Sequence, residues 1–386
     1  MSENYLHGTR VIEAESSTQP ISAAHSGVIG IVGTAPEADE EVFPLDVPVL
    51  ILGSQKKAAS LGALGTLPQS IEAIFKQIGA MIVVVRVKDE EKAADTKANV
   101  IGGIDDETGS GTGILALLEA ETTVKVKPSI LISPGFSNQQ SVGNQLASVA
   151  DKLRAYALLD GPNTTDANAI TYREKFGSRR CEIIDPWYKV FDTETKSEVI
   201  RPPSPYHAGV MAKVHTEKGF WHSNSNKEIY GINGLTRAIT FSSDSETSTA
   251  NYLNSKHVTT TILQDGYRTW GNRTCSSEPR WTFKTAVITN DKIAESLVKS
   301  FLWATDRNIT RAFGESIVGN VNRFLDNLTT KGAIAGGKCW IDPERNTADQ
   351  ISQGKFYLNY DFSPHGPAEQ IIIESEMVDG YLTEIF

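Results

Sequence analysis

Gly332 and Gly337, followed by Lys338 and Cys339, fall one residue short of a phosphate-cradling loop. The last place needs a Ser or Thr, whose hydroxyl binds the magnesium that accompanies a nucleotide. Cysteine does this poorly. A helical pattern precedes the loop and a strand-like 339–342 follows, so no helix N-terminus is aimed at a phosphate and the expectation is a plain turn. Gly109, Gly111 and Gly113 approach a dinucleotide fingerprint, but they follow a helix and the run Asp105-Asp106-Glu107, which repels a pyrophosphate. Asp160 and Asp185 each abut a turn. At the carboxyl ends of parallel strands two such carboxylates hold a metal or act as acid and base. Asp before Gly-Pro or Pro also closes a turn on its own backbone, which is the preferred reading. His207, His215 and His222 are spaced too widely to put two imidazoles on one side of a helical turn, and Ser54-Gln55-Lys56-Lys57 is too short a pattern to mark a nucleophile. In the cluster from Gly266 to Thr274, Trp270 is expected to fill a core gap while Arg268 and Arg273 bond carbonyls or carboxylates.

These residues must be positioned by elements that alternate along the chain. The apolar stretches 21–32, 48–52, 81–87, 129–133, 155–160 and 181–185 read as strands, the third near-continuously apolar as in a strand covered on both faces. Helical patterns occupy 54–61, 68–78, 89–100, 138–154 and 166–176; in the fourth, Val142, Leu146, Val149 and Leu153 form one stripe. Alternation of this kind yields a mainly parallel sheet with right-handed crossovers. From Pro186 to His257 the elements shorten, as at a domain edge or a long excursion. Two long helices follow, one capped by Asn290 or Asp291 and one by Thr310, the latter ending at Thr330, Lys331 and Gly332. The chain closes on extended material: 355–362, then 369–378 around Ile371, Ile373 and Met377, then 381–386. The expected fold is α/β (α+β) and multi-domain, with mixed sheets flanked by helices and extended N- and C-terminal strand arms.

With 386 residues the chain exceeds what one core of roughly 250 to 300 residues holds, so two or three domains are expected. Its 37 basic against 47 acidic residues argue against broad capture of nucleic acid or anionic membrane, which needs clustered Lys and Arg. No apolar run approaches the roughly 18 residues of a membrane helix, and residues 1–10 lack the apolar core of an export signal, so a soluble, cytoplasmically made protein is expected. Cys181, Cys275 and Cys339 are odd in number and lack paired metal spacing, which suits buried thiols in a reducing compartment.

Four spaced blocks carry a family likeness: Lys152-Leu-Arg-Ala continuing to Leu159-Asp-Gly-Pro-Asn-Thr-Thr-Asp166; Lys175-Phe-Gly-Ser-Arg-Arg180 with Asp185-Pro186; Ser223-Asn-Ser-Asn-Lys-Glu-Ile229 with Gly231; and Asp265-Gly-Tyr-Arg-Thr-Trp-Gly-Asn-Arg-Thr274. His7-Gly8, Val47-Pro-Val-Leu50 and Gly354-Lys355 with Tyr357 add to it. Over essentially its whole length the sequence resembles the contractile tail sheath proteins of temperate myophages and R-type pyocins.

That resemblance implies a structural protein, not an enzyme, without cofactor or metal. Its subunits stack as hexameric rings in a helical array around an inner tube and contract to drive the tube through a target envelope. Implied partners are other copies of itself, the inner tail tube protein, and baseplate and tail-terminator proteins, with no nucleic acid and no direct membrane insertion. Assembly is expected in the bacterial host cytoplasm, before residence in a virion tail or a released phage-tail-like particle. The implied organisation is an N-terminal arm over 1–20, outer α/β domains over 21–255, an inner domain over 256–365 and a C-terminal strand arm over 366–386. Inter-subunit contacts are expected from Leu6, His7, Val11, Ile12, Tyr381, Leu382, Ile385 and Phe386, and contact with the tube from Arg307, Arg311, Glu315 and Arg323. The residues agree: both ends carry too little apolar mass to fold alone but can add to an open sheet edge. The alternative from a different class is a cytoplasmic α/β enzyme with an acidic ligand crevice near Asp160 and Asp185.

Overall fold

A computed structural model describes residues 21–24, 26–193, 195–378 and 381. The described chain separates into two compact units. The larger runs from Ser26 to Ile288 and takes in the described residues from Gly366 onward; the smaller runs from Thr289 to His365 and takes in 21–24.

In the larger unit the apolar runs become one eight-stranded sheet. Its first strands are β1 (Ile29–Thr34), β2 (Val49–Leu52), β3 (Met81–Val87) and β4 (Ile130–Ile132); β5 (Tyr156–Asp160), β6 (Cys181–Ile184), β10 (Val258–Leu263) and β11 (Tyr267–Trp270) complete it, in the order β11-β10-β6-β5-β4-β1-β3-β2. The six central strands are parallel, and the edge strands β2 and β11 run antiparallel to their neighbours. Crossover helices α1 (Gln55–Ala59), α2 (Thr66–Phe75), α3 (Ala93–Ile101), α4 (Ala120–Val124), α5 (Gln140–Leu153) and α6 (Asp166–Arg173) connect them. Burial on both faces explains the unbroken apolar run of β3, where six of seven residues are buried. The stripe read on α5 is the face that packs: Val142, Leu146, Val149 and Leu153 all lie in the core cluster with β1, β3 and β5. Gly33 is required by close approach, since a Cβ there would stand 2.3 Å from Thr66 Oγ1.

The expected excursion after Pro186 is a second layer. Strands β7 (Tyr188–Asp192), β8 (Ser197–Arg201) and β9 (Gly234–Leu235) form a three-stranded antiparallel sheet in the order β8-β7-β9; helix α7 (Ser204–Glu217) packs against it, whereas α8 (Thr249–Ser255) packs on β10 of the large sheet. Tyr188, Tyr206 and Val210 form its own small core.

Helix α9 (Lys284–Ser300) corrects one expectation. It starts several residues before Asn290 and Asp291, which therefore sit inside the helix and do not cap it. The reason is tertiary: Lys284 N–H donates to the Asn272 carbonyl at 3.0 Å, and the Lys284 ammonium is drawn into the sheet. There Nζ lies 2.9 and 2.8 Å from the two carboxylate oxygens of Glu182 on β6, with Thr259 Oγ1 donating to the same carboxylate at 2.6 Å. Lys284 is 1% and Glu182 0% exposed.

The smaller unit is built on α10 (Arg311–Thr330), with β12 (Ile334–Ile341), α11 (Ala348–Ser352) and β13 (Leu358–Pro364). Thr310 caps α10 as read, accepting from Phe313 N–H at 3.1 Å. Gly332 at φ +73° ends it, with Gly332 N–H bonded to Thr329 O and Ala333 N–H to Leu328 O. The stretch expected to be a turn around Gly337 is instead strand β12, because Lys338 and Cys339 pair antiparallel with Asp361 and Tyr360 of β13. The strand expected over 369–378 does not form: these residues have no ladder partner among the described residues, and a lone segment has nothing to close its backbone hydrogen bonds.

Replacing Lys284 by Met strands a fully buried carboxylate. The expected cost is about 3–5 kcal/mol, and adding Glu182→Leu to Lys284→Met returns most of it, measured by urea unfolding.

Candidate assembly site

The residues with potential chemistry are held by partners within the fold. Asp160 and Asp185 do end neighbouring parallel strands, as expected, but they line no open crevice. Asp160 accepts from Gly135 N–H (3.1 Å), Ser137 Oγ (2.9 Å) and Ser204 N–H (2.9 Å); burial pushes its carboxyl up to about 6 against those donors. Asp185 accepts from Asn163 N–H at 2.8 Å and pairs with Arg237 at 2.5 Å, while Arg237 also holds Asp166. Burial raises the Asp185 pKa too, with Arg237 opposing. Gly161 seals the gap, for a Cβ there would meet Asp185 Oδ2 at 2.5 Å. The acidic-crevice reading is therefore corrected: these carboxylates are capped by backbone donors and an arginine.

The glycine-rich turn is likewise self-occupied, with Gly111 N–H donating to Glu119 (2.6 Å) and Gly113 N–H to Asp46 (2.7 Å). His207 is buried on α7 with Nε2 2.8 Å from the Tyr188 hydroxyl, which also bonds Thr261 Oγ1 at 2.6 Å. Arg268 bonds the Gln264 carbonyl at 2.9 Å and pairs with Glu228 at 3.3 Å, and Trp270 packs edge-on against Phe241. Sequence reasoning missed the Glu182–Lys284 pair, because a lysine before an apolar run reads as a solvated helix start.

Burial pushes the His207 imidazole down to about 3, so it is neutral in the folded state. A depressed histidine pKa contributes stability that is present above the unfolded value near 6.5 and lost as pH falls from there. Measured by urea unfolding, His207→Gln is therefore about 2 kcal/mol less damaging, relative to the parent protein, at pH 5 than at pH 7.5.

In the smaller unit, Ile317, Val321, Phe324 and Leu328 turn inward from α10, leaving an outward stripe. On that stripe Arg311 and Glu315 pair at 2.8 Å, both well exposed, and Arg323 Nη1 donates to Asn320 Oδ1 at 3.1 Å. Arg307, just before the helix, lies over the Trp303 ring at 4.9 Å. An open groove of about 780 Å³ beside it is lined by Phe301, Phe313, Ile317, Ile351, Phe356 and Leu358, among others. Next to this surface stands the β12–β13 pair. Asn322 of α10 reaches the edge of β12, accepting from Cys339 N–H (2.7 Å) and donating to Cys339 O (3.1 Å), so both backbone polar groups of one edge residue are satisfied by a side chain. Beyond β13, residues 370–378, which belong to the larger unit, form neither helix nor strand, with Ile371 78%, Ile373 85% and Met377 96% exposed.

Three family models match in succession: a tail sheath protein Gp18 domain III N-terminal region over residues 26–87, a phage tail sheath protein central domain over 109–275, and a phage tail sheath C-terminal domain over 276–377. A prophage major tail sheath protein of Pseudomonas aeruginosa (strain UCBPP-PA14) is 38% identical over 99% of both chains. The chain belongs to the phage tail sheath protein family. The tail sheath protein of Escherichia phage P2 is 35% identical over 99% of this sheath protein and 98% of its own length. The sheath fold is shared by an anti-feeding prophage helical sheath in the contracted state (TM-score 0.72, 19% identity, 97% and 100% covered) and by a PVC sheath complex in the contracted state (TM-score 0.70, 16% identity, 99% and 100% covered). This is a structural sheath subunit; the enzyme alternative has no support in family or fold.

Of the sheath protein's expected contact residues, Leu6, His7, Val11, Ile12, Leu382, Ile385 and Phe386 lie outside the described residues, and Tyr381 is exposed. Arg307, Arg311, Glu315 and Arg323 all fall on the exposed surface of the smaller unit, three of them along α10. Removing the Asn322 carboxamide leaves the Cys339 N–H and C=O without their partner; Asn322→Ala is expected to cost about 1–3 kcal/mol in urea unfolding.

Proposed function

We propose that copies of this protein polymerise as a helical array of hexameric rings around an inner tail tube, and that the array contracts to drive the tube through a target cell envelope. The observation that carries this is the exposed, isoleucine-rich segment 370–378, which follows a two-stranded sheet whose strands are each paired on one side only among the described residues. Strand addition between subunits supplies what each lacks: backbone bonds give affinity, and alternating side chains give register. The N-terminal arm acts in the same way. The similar solved chains support the reading, being described as a helical sheath in the contracted state and as a prophage baseplate.

The region 256–365 with the N-terminal arm lies toward the tube, and 21–255 lies outside. The stripe of Arg311, Glu315 and Arg323 with Arg307 meets the tube protein, since short exposed charges on one helix face set register more than affinity. The ends of the array meet baseplate and terminator proteins. Subunits assemble in the host cytoplasm and end in a virion tail or a released phage-tail-like particle.

Negative-stain microscopy of the purified protein is expected to show rings or striated tubes. Removal of residues 1–18 is expected to leave the circular dichroism spectrum intact and abolish polymerisation; normal tubes from the shortened chain would refute the arm mechanism. Nucleotides and divalent metals are expected to give no thermal shift, whereas a bound ligand at 100 times its dissociation constant would stabilise by roughly 2.7 kcal/mol.

A further inference from the structure

The segment that begins at Gly366 is held at Glu369. Glu369 meets Arg273 through three hydrogen bonds: Nε to each carboxylate oxygen at 3.1 Å and Nη2 to Oε2 at 2.7 Å. The two residues are 96 positions apart and both belong to the larger unit, although the preceding strand β13 belongs to the smaller one. Gly366, Pro367 and Ala368 are the short lead-in; beyond Glu369, residues 370–378 make no hydrogen bond among the described residues.

The guanidinium is set up for this contact. Its backbone is fixed, with Arg273 bridged to Phe283, Thr274 N–H on Thr282 O at 2.8 Å and Cys275 N–H on Cys181 O at 3.0 Å. Its remaining nitrogen, Nη1, lies 3.4 Å from His257 Nε2, and Arg173 Nη2 lies 3.2 Å from His257 Nδ1. Burial and the two arginines hold His257 below its ordinary pKa, so a neutral ring braces the cationic fork. A planar fork on a rigid backbone is the arrangement that fixes a carboxylate in direction as well as in place.

We propose that Arg273 and Glu369 form a clasp that sets the departure point and direction of the C-terminal arm, so that its isoleucine-rich strand reaches the sheet edge of a second copy of this chain. Arg273 is a positioning residue. The inference rests on the strand-exchange reading above and adds to it the anchor from which exchange proceeds. A tether held near its target raises the effective concentration of the strand there; a tether released at its root wanders and loses register.

Charge reversal tests it. In Arg273→Glu and Glu369→Arg, each alone, the concentration needed for tube formation is expected to rise about tenfold. The double variant Arg273→Glu/Glu369→Arg is expected to return to within about threefold of the parent. Melting temperature and circular dichroism of the unassembled chain stay unchanged for Glu369→Arg, which separates positioning from folding. Single variants that assemble at the parent concentration, or faster, overturn the clasp, as does a double variant no better than the singles. A chain ending at residue 369 distinguishes the two readings. If it stays monomeric while the single reversals assemble normally, the clasp alone fails; if it forms normal tubes, strand exchange by this arm fails and the clasp with it.

Discussion

An ammonium and a carboxylate with almost no access to water fix how the long helix α9 meets the sheet. Glu182 sits on a central parallel strand, and Lys284 is the first residue of α9. Removing both charges from water costs several kcal/mol per ion, and only good geometry with further hydrogen bonds offsets that. Here both carboxylate oxygens face the ammonium and Thr259 supplies another donor. Such a pair adds little net stability over an apolar packing, but it accepts only one placement of the helix.

The same economy runs through every motif that looked reactive. An active site keeps preorganised donors and charges aimed at a place where a ligand will sit. In this chain those groups are aimed at one another. The amides of the glycine-rich turn face Glu119 and Asp46, and Asp160 is surrounded by Ser137, Ser204 and Gly135. Its raised pKa is the kind of perturbation that marks catalytic sites. Burial under backbone donors produces it equally well, and the absence of an open side to that carboxylate decides between the two.

Much of the fold was legible because strand and helix periods are written in one residue after another. The covered strand β3, the stripe of α5, the Thr310 cap and the Gly332 stop are all local signals, and each is found where it was read. What was not legible depends on partners far along the chain. The start of α9 is fixed by the Asn272 carbonyl and by Glu182, the latter 102 positions away, so the local cap signal at Asn290 and Asp291 lost. Gly337 read as a turn because glycine is permissive, yet the ladder with β13 makes it a strand residue. On α10 the apolar stripe was legible from its spacing, and with it the side left to Arg311, Glu315 and Arg323. The Asn322 cover on Cys339 and the Arg273–Glu369 contact were not, since each joins side chains that no local pattern relates.

A segment such as 370–378 is costly to leave exposed. Extended apolar strands with open backbone pair indiscriminately, which is why soluble proteins shorten, charge or cover their sheet edges. Here the edge of β12 is partly covered by Asn322 and the arm is fastened at its root, which narrows the pairings available. In a head-to-tail assembly that never closes, the same contact recurs along the whole filament, so a small error in register or direction recurs with it. At about 1 kcal/mol per ladder bond, no single junction is strong. On the strand-exchange reading proposed above, fidelity of the lattice comes from where each strand starts rather than from how tightly it holds. An assembly built this way can also remain in a strained extended form, because rearrangement requires many modest junctions to shift together, and the barrier grows with their number while no nucleotide is needed to set it.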